Sequence, residues 1–372
     1  MLSMAHTLAH LQDKSEIISE QSQYLSGWSH GKEILQNGKP DLAKGSFYAN
    51  PLVDDITRLP STETGTELSP ELIEKNPGFF APNIWPSAAS SAALVDFQPA
   101  FKDLGTLVVE TGRLVARLCD AYIQTQYTAS STTFSYNKIT KVLTESRYCK
   151  GRLLHYFPIE QKSDDENVDS EGNNRSNNHE VNSNHTNDDS DEGASKHKDS
   201  TADEFSSWCG WHNDHGSLTG LVPAMYFDEN GVEVPNPDPK SGLYVQARSG
   251  QIHKVSMKPT TGDDNGGNTM AFQIGETSQI HSGGILQATP HAVRGCDTSN
   301  KNTGISRAAF AVFLEPEYHG DMDLPPGKTV QDVQDASIIE TLSAGSIKTL
   351  SSRWEEGMNF GEFSHATFAS FY

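Results

Sequence analysis

The chain predicts a mainly β fold with flanking helices, an α+β arrangement around a sandwich or open barrel of short strands. Three observations predict it. Between residues 149 and 316, short runs of β character follow one another with Gly and Pro turn signals between them. Before them, the apolar residues of 97–123 recur at spacings of three and four. After Pro316, Pro325 and Pro326 the tail regains helical character. Short strands in succession with helices on either side bury their apolar faces best as packed sheets covered by helices.

Residues 1–24 mix polar and apolar groups and read as helical. From Gly27 to about residue 82 the chain is rich in Pro, Gly, Asn and Thr, which predicts irregular covering structure. The segment 97–123 is a long amphipathic helix, with Leu104, Leu107, Val108, Thr111, Leu114, Leu118 and Tyr122 as the stripe expected to support the sheet. Residues 152–157 read as a strand ended by Pro158. The character then changes: 162–204 holds 13 acidic and 4 basic residues, a net of −9, with almost no large apolar group. Such a segment cannot offset its ordering entropy and is expected to be a disordered insert, with His179, His185 and His197 solvated. Beyond it, 208–227 reads as a strand pair and 241–255 as a hairpin turning near Ser249-Gly250. Residues 271–276 form a short strand with a Gly turn, and 287–293 and 306–314 are further strands. The domain reading is a helical and irregular region over 1–148, a β-rich region over 149–316 interrupted by the 162–204 insert, and a helical tail over 317–372.

The 372 residues are ample for a sizeable core. A net charge of −21, from 28 basic and 49 acidic residues, disfavours nucleic acid or an anionic membrane surface as a partner. No apolar run approaches the ~20 residues that span a bilayer, and the start lacks a basic segment followed by an apolar one. Cys119, Cys149, Cys209 and Cys296 are scattered without a Cys-x-x-Cys pair, as expected of a reducing compartment. These features predict a cytoplasmic monomer.

Chemistry concentrates at residues 205–220, where His212 and Asp214 stand two apart. On a strand that spacing puts an imidazole and a carboxylate on one face, where both can hold a divalent metal. His291, in Thr289-Pro290-His291-Ala292-Val293, is the candidate for a third ligand. His-x-Asp alone is a weak signal: His197-Lys198-Asp199 and His319-Gly320-Asp321 share the spacing without strand character around them. His215 and His281, beside the ligand segments, are expected to line a pocket or to hydrogen-bond. Phe157, Tyr226 and Tyr244 are candidates for a pocket wall, with core packing as their default role.

The order of features from about Gly27 onward resembles the 2-oxoglutarate/Fe(II)-dependent dioxygenases of the isopenicillin N synthase-like group. His212-Asn213-Asp214 is followed by Gly216-Ser217-Leu218-Thr219, similar to the group's His-x-Asp and Gly-x-Leu-Thr. Gly242-Leu243-Tyr244-Val245, Ile274-Gly275-Glu276 and His281-Ser282-Gly283-Gly284 fall where that group has Gly-Leu-Gln-Val, Ile-Gly-Asp and Ser-Asn-Gly. Pro290-His291-Ala292-Val293 matches its Glu-His-Arg-Val strand, and the strand from Ser306 and Arg307 to Pro316 its Arg-x-Ser strand. Asn83-Ile84-Trp85-Pro86 and the long helix also fall where the group has them.

The resemblance implies a double-stranded β-helix (jelly roll) core and an oxidoreductase. Its metal site would be Fe(II) on His212, Asp214 and His291, with 2-oxoglutarate as co-substrate on Arg307. The reaction implied is oxidation of a small organic substrate with O2, by hydroxylation or desaturation, giving succinate and CO2. Two departures bear on the keto acid: Ala309 stands for the Ser of Arg-x-Ser, and Phe157 for the Tyr before the strand-ending Pro. The family's N-terminal strand and first helix also have no counterpart in the pattern. The alternative is a non-catalytic jelly-roll protein that binds a metal or a partner.

Overall fold

The computed structural model describes residues 1–34, 38–60, 68–128, 135–158, 208–257, 269–297, 304–335 and 349–371. The expected disordered insert 162–204 lies outside the described residues. Helix α1 is Ala5–Ala9, and strands β1 (Gly27–His30) and β2 (Lys44–Ala49) follow. Helices α2 (Pro70–Lys75), α3 (Pro77–Phe80), α4 (Phe97–Thr128) and α5 (Lys138–Glu145) lead to β3 (Cys149–Tyr156). Then come β4 (Cys209–His212), β5 (Leu218–Leu221), β6 (Met225–Phe227), β7 (Glu233–Val234), β8 (Gly242–Gln246), β9 (Ile252–Lys254) and β10 (Ala271–Ile274). Helix α6 (Glu276–His281), β11 (His291–Arg294), β12 (Ser306–Leu314), α7 (Val330–Asp335) and α8 (Phe360–Phe371) complete the order.

Among the described residues all strand pairs are antiparallel, in two sheets. The major sheet runs β1-β2-β3-β12-β5-β10, with β6 on the first half of β12 and β7 on β6; the minor sheet runs β4-β11-β8-β9. Between the sheets, Leu154, Tyr156, Ala309, Ala311 and Tyr226 of the major sheet meet Leu243 and Val293 of the minor sheet, with Trp208 and Cys296 alongside. The opposite face of the major sheet, with Phe47, Leu153, Phe310 and Val312, packs under α4 together with Phe97, Phe101 and Val108. Strand β12 is buried along its length on both faces, which explains why 308–314 is apolar almost without break.

Helix α4 lies on this sheet through small residues. A Cβ on Gly112 would sit 2.6 Å from Leu314 Cδ2, and one on Gly220 of β5 would sit 2.3 Å from Val108 Cγ1, so close approach requires Gly on both sides. The buried face of α4 is Phe97, Phe101, Val108, Val109, Ala116 and Ile123. Of the stripe expected to support the sheet, only Val108 is fully buried; Leu107, Leu114, Leu118 and Tyr122 point to solvent. The helix carries two apolar stripes, and the one read from the larger side chains is the outer one.

Four further expectations are corrected. The N-terminal 24 residues form only one short helix and two 3-10 turns, at Leu2–Met4 and Ser15–Ile17. Residues 27–82 include two strands, because Gly27–His30 and Lys44–Ala49 extend the major sheet beyond β3 in full register. Residues 208–227 are not a strand pair: β4 joins β11 in the minor sheet and β5 joins β12 and β10 in the major one. The chain crosses between sheets over 213–217. After the Gly275 turn, Glu276–His281 is a buried helix. The 241–255 hairpin and the 306–314 strand occur as read. In the tail, helix is confined to Val330–Asp335 and Phe360–Phe371 among the described residues.

Candidate metal centre

His212 is the last residue of β4, and across the β4–β11 ladder its register partner is His291, the first residue of β11. Asp214 lies two residues past the end of β4, in the crossing between sheets, so a crossover rather than a continuous strand brings it back beside His212. The three donors converge: Asp214 Oδ1 lies 3.9 Å from His212 Nε2 and 3.7 Å from His291 Nε2. The imidazole centroids are 4.1 Å apart. Among the described residues this is the one group of three or more His, Cys, Asp or Glu whose donor atoms gather as metal ligands would, all within 4.8 Å. His319 and Asp321 are not so gathered. His197 and Asp199 lie outside the described residues.

The orientation of each ring is fixed by backbone. His212 Nδ1 lies 2.8 Å from Gly210 O, and His291 Nδ1 lies 3.0 Å from Thr289 O. Nδ1–H donating to a carbonyl turns Nε2 inward, the nitrogen left to bind a metal once it carries no proton. Asp214 Oδ2 is buried without a partner, a cost that a cation would remove.

The electrostatics agree. Burial pushes the His291 imidazole down to about 4. Burial also acts against charge on His212, but Cys209, Asp214 and the Gly210 carbonyl outweigh it and lift it to about 9. Asp214 is held below the ordinary carboxylate range: its burial opposes ionisation, and His291 and His212 overcome that. The cluster thus retains a positive charge beside Asp214.

Arg307 lies on the inner face of β12. Its ladder neighbours are Tyr156 on β3 and Tyr226 on β6, and its guanidinium carbon stands 5.1 Å over the Tyr156 ring. It is 6% exposed, and its Nε and Nη1 have no hydrogen-bond partner. A buried guanidinium with two unpaired donors is unfavourable unless an anion completes it.

Phe157 faces the other way, its ring 4.7 Å from His30 and 4.9 Å from His155. The tyrosine on the inner face is therefore Tyr156, and Phe157 removes no hydroxyl from the interior. Ala309, two residues along β12 from Arg307, does face inward. Tyr226 Oη is 3.1 Å from Ser241 Oγ, and the Tyr244 hydroxyl donates to Lys240 O at the surface.

A cavity of about 670 Å³ opens over His212 and Asp214. Phe79, Trp211, Phe313 and Phe368 give it apolar walls; Phe157, Tyr226 and Tyr244 do not border it. His215 does, stacked on Phe360 at 5.7 Å and 3.8 Å from Glu315 Oε1. His281 does not border it and is buried elsewhere, with Nε2 2.9 Å from Asp321 O.

One side of the cavity carries a network absent from the expected site. Glu33 joins Lys44 at 2.9 Å, accepts from Tyr48 Oη at 3.2 Å and pairs with Arg152, whose Nε donates to Ser46 Oγ at 3.0 Å. Lys44 also pairs with Asp41. The signal for it was present: Lys44, Ser46 and Tyr48 alternate with Gly45, Phe47 and Ala49, so the polar set shares one face of β2. Cys209, 3.8 Å from His212 Nδ1, was also missed. Burial raises its thiol, but His212, Lys44 and Arg152 outweigh that and bring it to about 7.

No protein-family model matches the chain. No curated protein matches its sequence either. Solved structures do resemble it. A protein from Caulobacter crescentus assigned to the 2OG-Fe(II) oxygenase family aligns over 99% of this chain and 84% of its own, with a TM-score of 0.53 and 16% identity. Full-length Neurospora crassa T7H in complex with alpha-KG aligns over 100% and 81%, with a TM-score of 0.49 and 17% identity. JOX2 in complex with 2OG, Fe and JA aligns over 89% and 68%, with a TM-score of 0.42 and 12% identity. The likeness to the Caulobacter protein establishes the fold: two facing antiparallel sheets with flanking helices, the jelly-roll architecture found in 2OG-Fe(II) oxygenases. Among the described residues, no helix is long and apolar enough to cross a membrane.

Proposed function

We propose that this chain is a non-haem Fe(II) oxygenase that uses 2-oxoglutarate and O2 to oxidise a small organic substrate by hydroxylation or desaturation. One observation carries the reading. A convergent His212–Asp214–His291 set and a buried Arg307 with two unpaired donors occur in the same jelly roll. Two imidazoles and one carboxylate suit Fe(II) and leave three coordination positions open. Bound there, iron with O2 and the keto acid would supply C–H oxidation, with 2-oxoglutarate converted to succinate and CO2.

The chain's own residues bind and orient. Gly210 O and Thr289 O hold the two imidazoles with Nε2 turned inward. Arg307, buried with two unpaired donors, would hold the distal carboxylate of the keto acid by a charge-assisted contact. The Tyr156 ring lies beneath the guanidinium carbon at 5.1 Å. The cavity of about 670 Å³ is the size of a small-molecule site, and Phe79, Phe313 and Phe368 are among the apolar groups that line it. The Glu33–Lys44–Arg152 network is formally close to neutral and internally bonded, so it shapes the wall and does not demand a charged substrate.

The experiment is turnover without substrate. Supplied with Fe(II), O2, 2-oxoglutarate and ascorbate as the reductant that replaces substrate, the protein should form succinate slowly, and the Asp214→Ala protein should not. Succinate equally absent from both, with Fe(II) bound, would favour a non-catalytic jelly roll.

A further inference from the structure

We propose that the outer stripe of α4 is a self-association surface on which a second copy of this chain docks antiparallel. The stripe is Leu107, Leu114, Leu118 and Tyr122, exposed by 54, 56, 71 and 52% respectively. Four large apolar side chains in one row along ~22 Å of helix are more than the scattered exposed leucine that needs no explanation. The helix does not need them for its own fold, because its other face, built around Phe101, Val108 and Ala116, already packs on the major sheet.

The occupant follows from symmetry and charge. The stripe is nearly symmetric about its middle: Leu107 and Tyr122 lie about equally far from residues 114–115. A two-fold axis there sets Leu107 against Tyr122 of the other copy and Leu114 beside its own counterpart. Glu110 and Arg117, seven residues apart, lie along the same edge of the stripe. Antiparallel docking brings that edge of each copy to the same side of the contact. Glu110 of one copy then meets Arg117 of the other, twice, within about one helical turn in height. Glu110 is exposed and already reaches Arg113 at 2.6 Å, which leaves its second oxygen for this contact. The surface is therefore complementary to itself in apolar pattern and charge. A single helix pair is small for an interface, so the association is reversible.

Sedimentation velocity on the full chain up to ~100 µM reads this directly. Wild type should shift toward twice the monomer mass. Leu114→Glu and Leu118→Glu should stay monomeric with unchanged thermal melting, since both side chains are exposed in the folded chain. Glu110→Arg and Arg117→Glu should each weaken association roughly tenfold, and the double variant should recover it, because the swapped charges again face their opposites. A wild type that stays monomeric throughout overturns the proposal, as would a stripe covered by another part of the same chain. Dimers indifferent to Leu114→Glu, or not recovered by the double swap, overturn it too.

Discussion

Arg307 and Tyr156 face each other across the β12–β3 ladder, with the guanidinium carbon 5.1 Å over the tyrosine ring. The pairing orients a buried cation whose Nε and Nη1 remain unpaired, and it gives the keto-acid reading a test by substitution. Arg307→Ala should weaken 2-oxoglutarate binding by about 2–5 kcal/mol, the loss when a buried charge pair loses one partner. Arg307→Lys should also be poor, since an ammonium lacks the planar fork. Ala309→Ser should tighten binding by about 1 kcal/mol. Phe157→Tyr should change nothing, because that side chain lies on the outer face among His rings. Calorimetric titration with the keto acid checks all four, and tightening by Phe157→Tyr would contradict the assigned faces.

Metal affinity should depend on pH with a definite sign. His212, lifted to about 9, carries a proton at neutral pH in the metal-free protein, and its Nε2 must lose that proton to ligate. Binding should therefore release about one proton near pH 7.5, and the apparent affinity should rise about tenfold per pH unit until about pH 9. Titrations with a redox-inert divalent cation in two buffers of different ionisation heat measure the proton count. A count near zero would mean that His212 is already neutral.

A third prediction concerns the anchoring of the C-terminal segment. Arg353 donates to Glu276 through Nη1 at 2.8 Å and Nη2 at 2.6 Å, with both side chains almost fully buried. Arg353→Leu should cost about 3–5 kcal/mol, because it leaves Glu276 buried without a counter-charge. The double change with Glu276→Leu should recover a large part of that loss. Denaturant unfolding of the three proteins gives the values, and a cost below about 1 kcal/mol would show that water replaces the pair.

Much of the site was legible in the chain, for identifiable reasons. His291 and Arg307 are polar groups set in apolar strand context, and His212 and Asp214 carry the His-x-Asp spacing directly after a short strand. The strand holding Arg307 was readable to the residue because nothing polar interrupts 308–314. What was not legible is orientation. Strand β3 mixes polar and apolar groups on both faces, Arg152 with Leu154 on one and His155 with Leu153 on the other, so alternation could not say whether Tyr156 or Phe157 points inward. The same ambiguity hid the buried face of α4, where Gly105, Gly112 and Ala116 carry the packing and are too small to draw the eye. Strands β4 and β5 read as a pair because they are short and consecutive. Only the sheet partners, which lie about 80 and 90 residues further on, separate them.

The central claim is that His212, Asp214 and His291 hold Fe(II) in a site that admits a bidentate keto acid. Anaerobic titration of the protein with Fe(II) and then 2-oxoglutarate, followed by visible absorption, tests it most directly. The account predicts a weak, saturable charge-transfer band at one equivalent of iron. That band should be lost in Asp214→Ala and His291→Ala and kept in His319→Ala. Stoichiometric iron binding with no band, or a band undiminished in Asp214→Ala, would contradict it.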